Sequence, residues 1–187
     1  MEFGADVSIP NVKGDTIVHI ICNEGDSVTF GNILRSCREY GADRKAKSTF
    51  KVPATDSLHR MYSTFTILGS RKDTPFGSVI SRLIREKKRE KVAVRCYLII
   101  RRFLGLAKDH DVDIGHCQKI QTLTPPVVPL FALCQELEEA QITENESTEN
   151  QLKLIISQLY EINLKRKILN ETNSNGDYPV HYFASLG

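Results

Sequence analysis

Residues 14–19, GDTIVH, recur near the C-terminus as residues 176–181, GDYPVH, with Gly, Asp, Val and His in the same places. Gly14 and Gly176 suit a turn that needs left-handed backbone, because glycine has no Cβ to clash there. Thr16 suits the position before a helix, where its hydroxyl can accept a hydrogen bond from a free backbone N–H. Both stretches therefore predict a tight turn followed by the start of a helix.

Two weaker copies of this helix start lie between them, at residues 73–76 (DTPF) and 128–131 (VPLF). A proline fits the first position of a helix, since its missing N–H would have no partner there. Pro75, Pro129 and Pro179 all occupy that position. The pattern predicts that helices begin after four residues: Thr16, Thr74, Val128 and Tyr178.

A second short repeat is Gly-Ala-Asp, at residues 4–6 and 41–43. Gly41 is predicted to end a helix by adopting the left-handed conformation. Between the two copies, four apolar residues at helical spacing predict the packing face of a helix: Val28, Ile33, Leu34 and Cys37.

These motifs resemble the ankyrin repeat family, whose units open with G-x-T-P-L-H-x-A and close with G-A-D. The resemblance implies an all-α fold, an ankyrin-type helical-hairpin solenoid with long inter-repeat loops. It also implies that Gly25-Asp26 forms the turn between the first two helices. The helix starts are 58, 54 and 50 residues apart, whereas a standard ankyrin unit has about 33 residues. The implied single repeat domain spans residues 1–187, with units at about 1–43, 73–108, 127–165 and 175–187 and loop insertions at 44–72 and 109–126.

Apolar periodicity supports helices at roughly residues 91–107 and 149–165, the latter including Leu164. Residues 141–150 are polar and predict the turn before the second of these. Each helix pair would leave an apolar face that only stacking against a neighbouring pair can bury. A compact helical bundle in which the repeated motifs are accidental is the alternative.

Two histidines occupy the same place in the repeated motif, His19 and His181. The resemblance implies that each hydrogen-bonds a turn and so links neighbouring units. A catalytic or metal-binding role is less well supported, because no second ligand recurs at suitable spacing around either residue.

One other segment invites a metal-site hypothesis, residues 109–127. It holds several candidate ligands: His110, Asp111, Asp113, His116 and Cys117. Their spacing matches no zinc pattern, and a solvated loop explains them equally well, so neither a metal nor a cofactor is expected. The five cysteines include no C-x-x-C pair and predict free thiols, those on helices acting as small core residues.

The charges are unevenly placed. Residues 71–108 hold twelve basic and three acidic side chains, whereas residues 136–149 hold six glutamates and no base. The basic block could be a solvated helix face, a site for an acidic protein partner, or a nuclear-import signal at Arg85–Lys91. A basic helical module that binds nucleic acid through residues 71–108 is the alternative function, but no aromatic residues interleave the run for base stacking.

Phosphate-binding loops, nucleophile elbows and metalloprotease motifs are absent from the sequence, so an enzyme is not expected. The prediction is a protein–protein interaction module, a scaffold or adaptor that binds through its finger loops and concave helices. Exposed loop positions are the best candidates for contact. They are Val12, Lys13, Asp26, Asn173, Ser174 and Asn175.

The chain lacks an apolar run long enough to span a membrane, and charged residues interrupt the first twenty positions. We therefore expect a protein of the cytoplasm or the nucleus, with no membrane partner. Since neither end carries a recognisable polar cap, the chain is expected to be monomeric or a section of a longer array.

Overall fold

The computed structural model describes residues 6–47 and 56–165, together with Thr172, Gly176, Tyr178 and His181. Regular structure in these residues is helical, which confirms the prediction of an all-α fold. The helices are α1 (Ile17–Glu24), α2 (Ser27–Lys47), α3 (Asp56–Ser63), a 3-10 helix (Thr64–Thr66), α4 (Pro75–Glu86), α5 (Glu90–His110), α6 (Pro129–Ile142) and α7 (Glu146–Lys165). The β-structure of this part of the chain is one antiparallel bridge between Ile120 and Val127.

Three short turns join consecutive helices, α1 to α2, α4 to α5 and α6 to α7. The first helices of these pairs contact in the order α1, α4, α6. The second helices contact in the order α2, α5, α7. Each pair therefore packs against the next one through both of its helices.

The helix starts at Thr16, Thr74 and Val128 are confirmed, since α1, α4 and α6 begin at the following residue. A side-chain cap of the kind predicted for Thr16 is formed by Thr74, whose Oγ1 accepts a hydrogen bond of 3.1 Å from the backbone N–H of Gly77, whereas the Thr16 hydroxyl lies 2.9 Å from Nδ1 of His19. The turn before α7 is shorter than predicted. Asn145 Oδ1 accepts from the N–H of Thr148 at 3.1 Å, so α7 begins at Glu146 rather than near residue 149.

The predicted helix end at Gly41 is wrong, because α2 continues through it to Lys47. Part of the insertion at 44–72 is also helical, and its helix α3 packs against α2.

Four phenylalanines form the centre of the core, and each comes from a different helix. The ring centroid of Phe103 lies 4.9 Å from that of Phe30, 5.1 Å from that of Phe65 and 5.6 Å from that of Phe76. All four side chains are fully buried. The cluster joins α2, the 3-10 helix, α4 and α5.

Two residues predicted to pack inward are exposed instead. Val28 is 64% exposed and Leu164 is 56% exposed. The apolar spacing placed Val28 on the inner face of α2, but that face is centred on Phe30 and Leu34, which are buried. Near the helix ends, helical spacing alone does not tell which face has a neighbour to pack against.

Helix α4 lies at the centre of the molecule, and every residue from Pro75 to Leu83 is buried. Even Arg82 is only 5% exposed, although the sequence placed it in a solvated basic block. Its Nη1 donates to the carbonyl of Gly25 at 3.0 Å and to that of Cys22 at 3.4 Å. The guanidinium thus provides hydrogen-bond donors for two carbonyl groups at the C-terminal end of α1, where the helix dipole favours a cation.

The insertion at 109–126 is not the solvated loop that was expected. Asp111 ends α5 with a left-handed φ of 51°. Val112, Ile114 and Ile120 are then buried in the main core, and His116 is 2% exposed. This loop therefore contributes apolar residues to the fold.

Candidate partner-binding surface

The first finger turn, residues 11–15, is held by hydrogen bonds within the turn. The N–H of Asn11 donates to the carbonyl of Asp15, and the N–H of Gly14 donates to the carbonyl of Asn11, both at 2.9 Å. Asn11 Oδ1 also accepts from the N–H groups of Lys13 and Asp15. Gly14 has a φ of +89°, which confirms its predicted left-handed conformation.

A second finger turn, residues 69–73, repeats this pattern 58 residues later. The N–H of Gly69 donates to the carbonyl of Asp73 at 3.0 Å, and the N–H of Lys72 donates to that of Gly69 at 2.9 Å. Lys72 takes the place of Gly14 and has a φ of +60°. Sequence reasoning missed this turn because no glycine marks its left-handed position.

One aspartate joins each finger turn to a later segment of the chain, Asp15 in the first turn and Asp73 in the second. The Asp15 carboxylate accepts from the N–H and the hydroxyl of Ser70, both at 2.8 Å. Burial alone would raise the pKa of the Asp15 carboxyl, but the bonds from Ser70 lower it overall. The Asp73 carboxylate accepts from the N–H groups of Gln121 and Thr122 and from the Thr122 hydroxyl. An Asp-Thr pair precedes both α1 and α4, so the sequence carried a signal for these links.

Removing the second link should cost more stability than removing an exposed carboxylate. We expect Asp73→Ala to lower the free energy of unfolding by about 1.5–3 kcal/mol, because Asp73 is 1% exposed and its charged acceptor serves three donors. Urea denaturation measures the loss, and amide exchange at Gln121 and Thr122 should become faster. Asp109→Ala, at an exposed site, should change stability by less than about 0.5 kcal/mol. Equal effects of the two substitutions would contradict the link.

His19 ties the start of α1 to the second finger turn. Its Nδ1 accepts from the N–H of Thr16 at 3.2 Å, which leaves Nε2 to donate to the carbonyl of Asp73 at 3.3 Å. The ring is 1% exposed, and the space around it is tight, since a Cβ on Gly69 would lie 2.6 Å from Cδ2 of the ring. His19 therefore hydrogen-bonds the backbone of the second finger turn, the kind of contact that the resemblance implies.

Burial lowers the pKa of His19, although the Asp73 carbonyl and the Asp15 charge act in the opposite direction. In the unfolded chain a histidine titrates near pH 6.5. Below that pH the unfolded state binds the proton more readily, so the free energy of unfolding should fall as the pH drops from about 7 to 5. The variant His19→Gln should show a flatter dependence in that window, measured by urea denaturation at each pH. A wild-type slope in His19→Gln would contradict the assignment.

The predicted contact residues divide into three groups. Val12 and Lys13, at the tip of the first turn, are exposed, Val12 completely so. Asp26 is half-buried and its Oδ1 accepts from the N–H of Thr29 at 2.8 Å, which lowers the pKa of its carboxyl. Its carboxylate therefore caps α2. Asn173, Ser174 and Asn175 lie outside the described residues.

The final copy of the motif is described only in part. Gly176 has a φ of +84°, as predicted, and the N–H of Tyr178 donates to Nδ1 of His181 at 3.2 Å. The same bond joins Thr16 to His19 at 3.2 Å. Pro179 lies outside the described residues.

Exposed apolar residues adjoin the first finger turn. Ile9 is 67% exposed on the chain before it, and Ile17 and Ile20 are 36% and 40% exposed on α1. Because α4 is buried from Pro75 to Leu83, the accessible part of the first-helix layer near the fingers belongs to α1. The turn and α1 together form an edge with apolar side chains on a firmly held backbone.

The basic block is partly neutralised by the acidic segment, as one interpretation of the sequence predicted. Lys87 Nζ binds Glu136 at 3.0 Å and Glu139 at 2.5 Å, and these hydrogen bonds raise the pKa of Lys87 against the effect of burial. Lys108 pairs with Glu161 at 3.3 Å. Four more exposed basic side chains of the block lie on α5, and the others lie on the second finger turn, at the end of α4 and in the turn before α5.

The candidate metal ligands and the cysteines can be compared with the arrangements that metal binding and thiol reactivity require. Within the described ranges, no three His, Cys, Asp or Glu side chains are placed to hold a metal ion. Burial raises the pKa of Cys96 to about 11 and that of Cys134 to about 12, so both thiols stay protonated near neutral pH. Cys22 and Cys37 are likewise buried, whereas Cys117 is half-buried.

Comparisons with protein-family models, curated proteins and solved structures find no match to this chain. None of the helices described is both long enough and apolar enough to cross a bilayer.

Proposed function

We propose that the chain is a non-enzymatic protein–protein interaction module, an ankyrin-type solenoid of stacked helix pairs. The observation that carries the proposal is the pair of finger turns with the same hydrogen-bond pattern, joined by Asp15 and Ser70. The order of contacts among α1, α4 and α6, and among α2, α5 and α7, supports the stacked arrangement.

Such an arrangement favours binding by a preformed edge. Because the turn at residues 11–15 is fixed by its own hydrogen bonds, a partner would pay little entropy to order it. Val12, Ile17 and Ile20 would supply the apolar contacts and Lys13 a charge at the rim. We propose this edge as the binding surface in place of the broader concave surface expected from the sequence, because α4 is buried over its first nine residues.

Photo-crosslinking in cells that express the chain tests the proposal. We expect a benzophenone amino acid at Val12 to yield a discrete protein adduct. The control position is Ile142, at the end of α6, which is 82% exposed and lies far along the chain from the finger turn. Adducts with nucleic acid alone, or equal diffuse adducts from both positions, would overturn the proposal.

A further inference from the structure

The outer surface of α5 carries more basic than acidic side chains, and of the basic ones Arg95 attracts the Asp26 carboxylate. Four basic side chains on it are exposed: Lys91, Arg95, Arg101 and Arg102. In the part of the chain that the structure describes, none of the four forms an ion pair, in contrast to Lys87 and Lys108. Unpaired charges of one sign on a single helix attract ligands of the opposite sign.

Apolar side chains lie among these charges. Val94 and Leu98 are 50% and 44% exposed and are four residues apart, so they are neighbours on one helix face. They line a groove of about 480 Å³ between α5 and the start of α7. Its charged lining consists of Lys87, which is paired with glutamates of α6, and of Lys88, Arg101 and Glu90, so the groove has a net positive charge; Gln151 of α7 also lines it.

From this combination we infer that the groove between α5 and α7 binds an acidic peptide segment that also carries aliphatic residues. The inference rests on the proposed interaction function and names a second surface for it, distinct from the finger edge. The aliphatic side chains of the peptide pack on Val94 and Leu98, and its carboxylates pair with Arg101 and Lys88. Gln151 offers both a donor and an acceptor to the peptide backbone.

The same features disfavour the other anionic partners. Single-stranded nucleic acid stacks its bases on exposed aromatic rings, but the aromatic residue at this groove, Tyr97, is only 8% exposed. An anionic membrane presents a broad surface, which would not enter a groove between two helices. An extended peptide matches both the concave shape and the mixture of charge and aliphatic surface.

A selection from a random library of 12-residue peptides displayed on phage, with the full chain as bait, tests the inference. We expect enrichment of Asp and Glu together with Leu, Ile or Val. The best peptide is then synthesised with a fluorescent label, and its affinity is measured by anisotropy. No enrichment of acidic residues would overturn the inference without bearing on the crosslinking result at Val12.

Matched variants locate the binding site. Arg101→Glu should weaken peptide binding about tenfold, as expected for loss of roughly 1.4 kcal/mol. Leu98→Ser should weaken it about fivefold, because the exposed part of the leucine side chain can no longer be buried by the peptide. Lys119→Glu reverses an exposed charge outside α5 and should change affinity less than about twofold. Circular dichroism confirms that each variant is folded.

If Val12→Asp weakens the peptide while the α5 variants do not, the peptide binds at the finger edge. That result overturns the inference but leaves the proposed function in place. Tighter binding of a 20-base DNA strand or of phosphatidylserine vesicles than of the best peptide, with the same sensitivity to Arg101→Glu, would assign the groove to those ligands and also overturn it.

Discussion

Phe103→Ala should lower the free energy of unfolding by about 3–5 kcal/mol, the usual range for removing a large aromatic side chain from a core. Phe103 is fully buried and its ring centroid lies within 5.6 Å of those of Phe30, Phe65 and Phe76. The substitution therefore removes buried area and three ring contacts at once, each worth about 0.5–1.5 kcal/mol. Urea denaturation followed by circular dichroism measures the loss.

The conservative variant Phe103→Leu is the control for this prediction. It fills most of the volume but loses the aromatic pairs, so its cost should be clearly smaller than that of alanine. Because the four rings come from α2, the 3-10 helix, α4 and α5, the alanine variant should also destabilise these elements together. A loss below about 1 kcal/mol would show that the cluster is not the centre of the core.

Gly115→Ala should cost about 2–5 kcal/mol, for two separate reasons. The residue has a φ of +70°, which disfavours any side chain by about 1–2 kcal/mol. A Cβ there would also lie 2.8 Å from Cγ2 of Thr74 and 3.0 Å from the carbonyl of Phe65, so the loop must shift away from the start of α4. Overpacking of this kind adds about 1–3 kcal/mol.

Two other glycines separate these contributions. Gly14 has a φ of +89° but open space around it, so Gly14→Ala should cost only the conformational part, about 1–2 kcal/mol. Gly105 lies within α5 with no atom near its Cβ position, so Gly105→Ala should stabilise the protein by about 0.5–1 kcal/mol. In thermal unfolding, we expect Gly115→Ala to have the lowest Tm, Gly14→Ala a higher one and Gly105→Ala the highest of the three. If Gly115→Ala costs no more than Gly14→Ala, the tight packing of the loop on α4 is refuted.

The candidate binding surface was partly predictable. Gly14 identified the first finger turn, because a left-handed position usually needs glycine. The second turn could not be predicted, because its left-handed position is occupied by Lys72 and not by a glycine. Here the bonds of Asp73 to Gln121 and Thr122 fix the end of the turn, and they depend on a loop almost fifty residues away.

The groove on α5 could not be predicted from the sequence. The sequence revealed an excess of basic residues at 71–108 but did not show which of them are solvated. In the fold Arg82 is buried against the end of α1, Lys87 is paired with glutamates, and Arg101 stays exposed beside Leu98. The choice among these fates depends on which helices pack together.

By itself, the sequence determined the helical class and the residues at which α1, α4 and α6 begin. A capping threonine or a first-turn proline acts on backbone groups within three or four residues, so this information is local. Only the tertiary structure decided that α2 continues past Gly41, that α4 is buried from Pro75 to Leu83 and that Val112, Ile114 and Ile120 join the core. Those outcomes depend on apolar surfaces from distant segments covering one another, and no local pattern specifies which surfaces will meet.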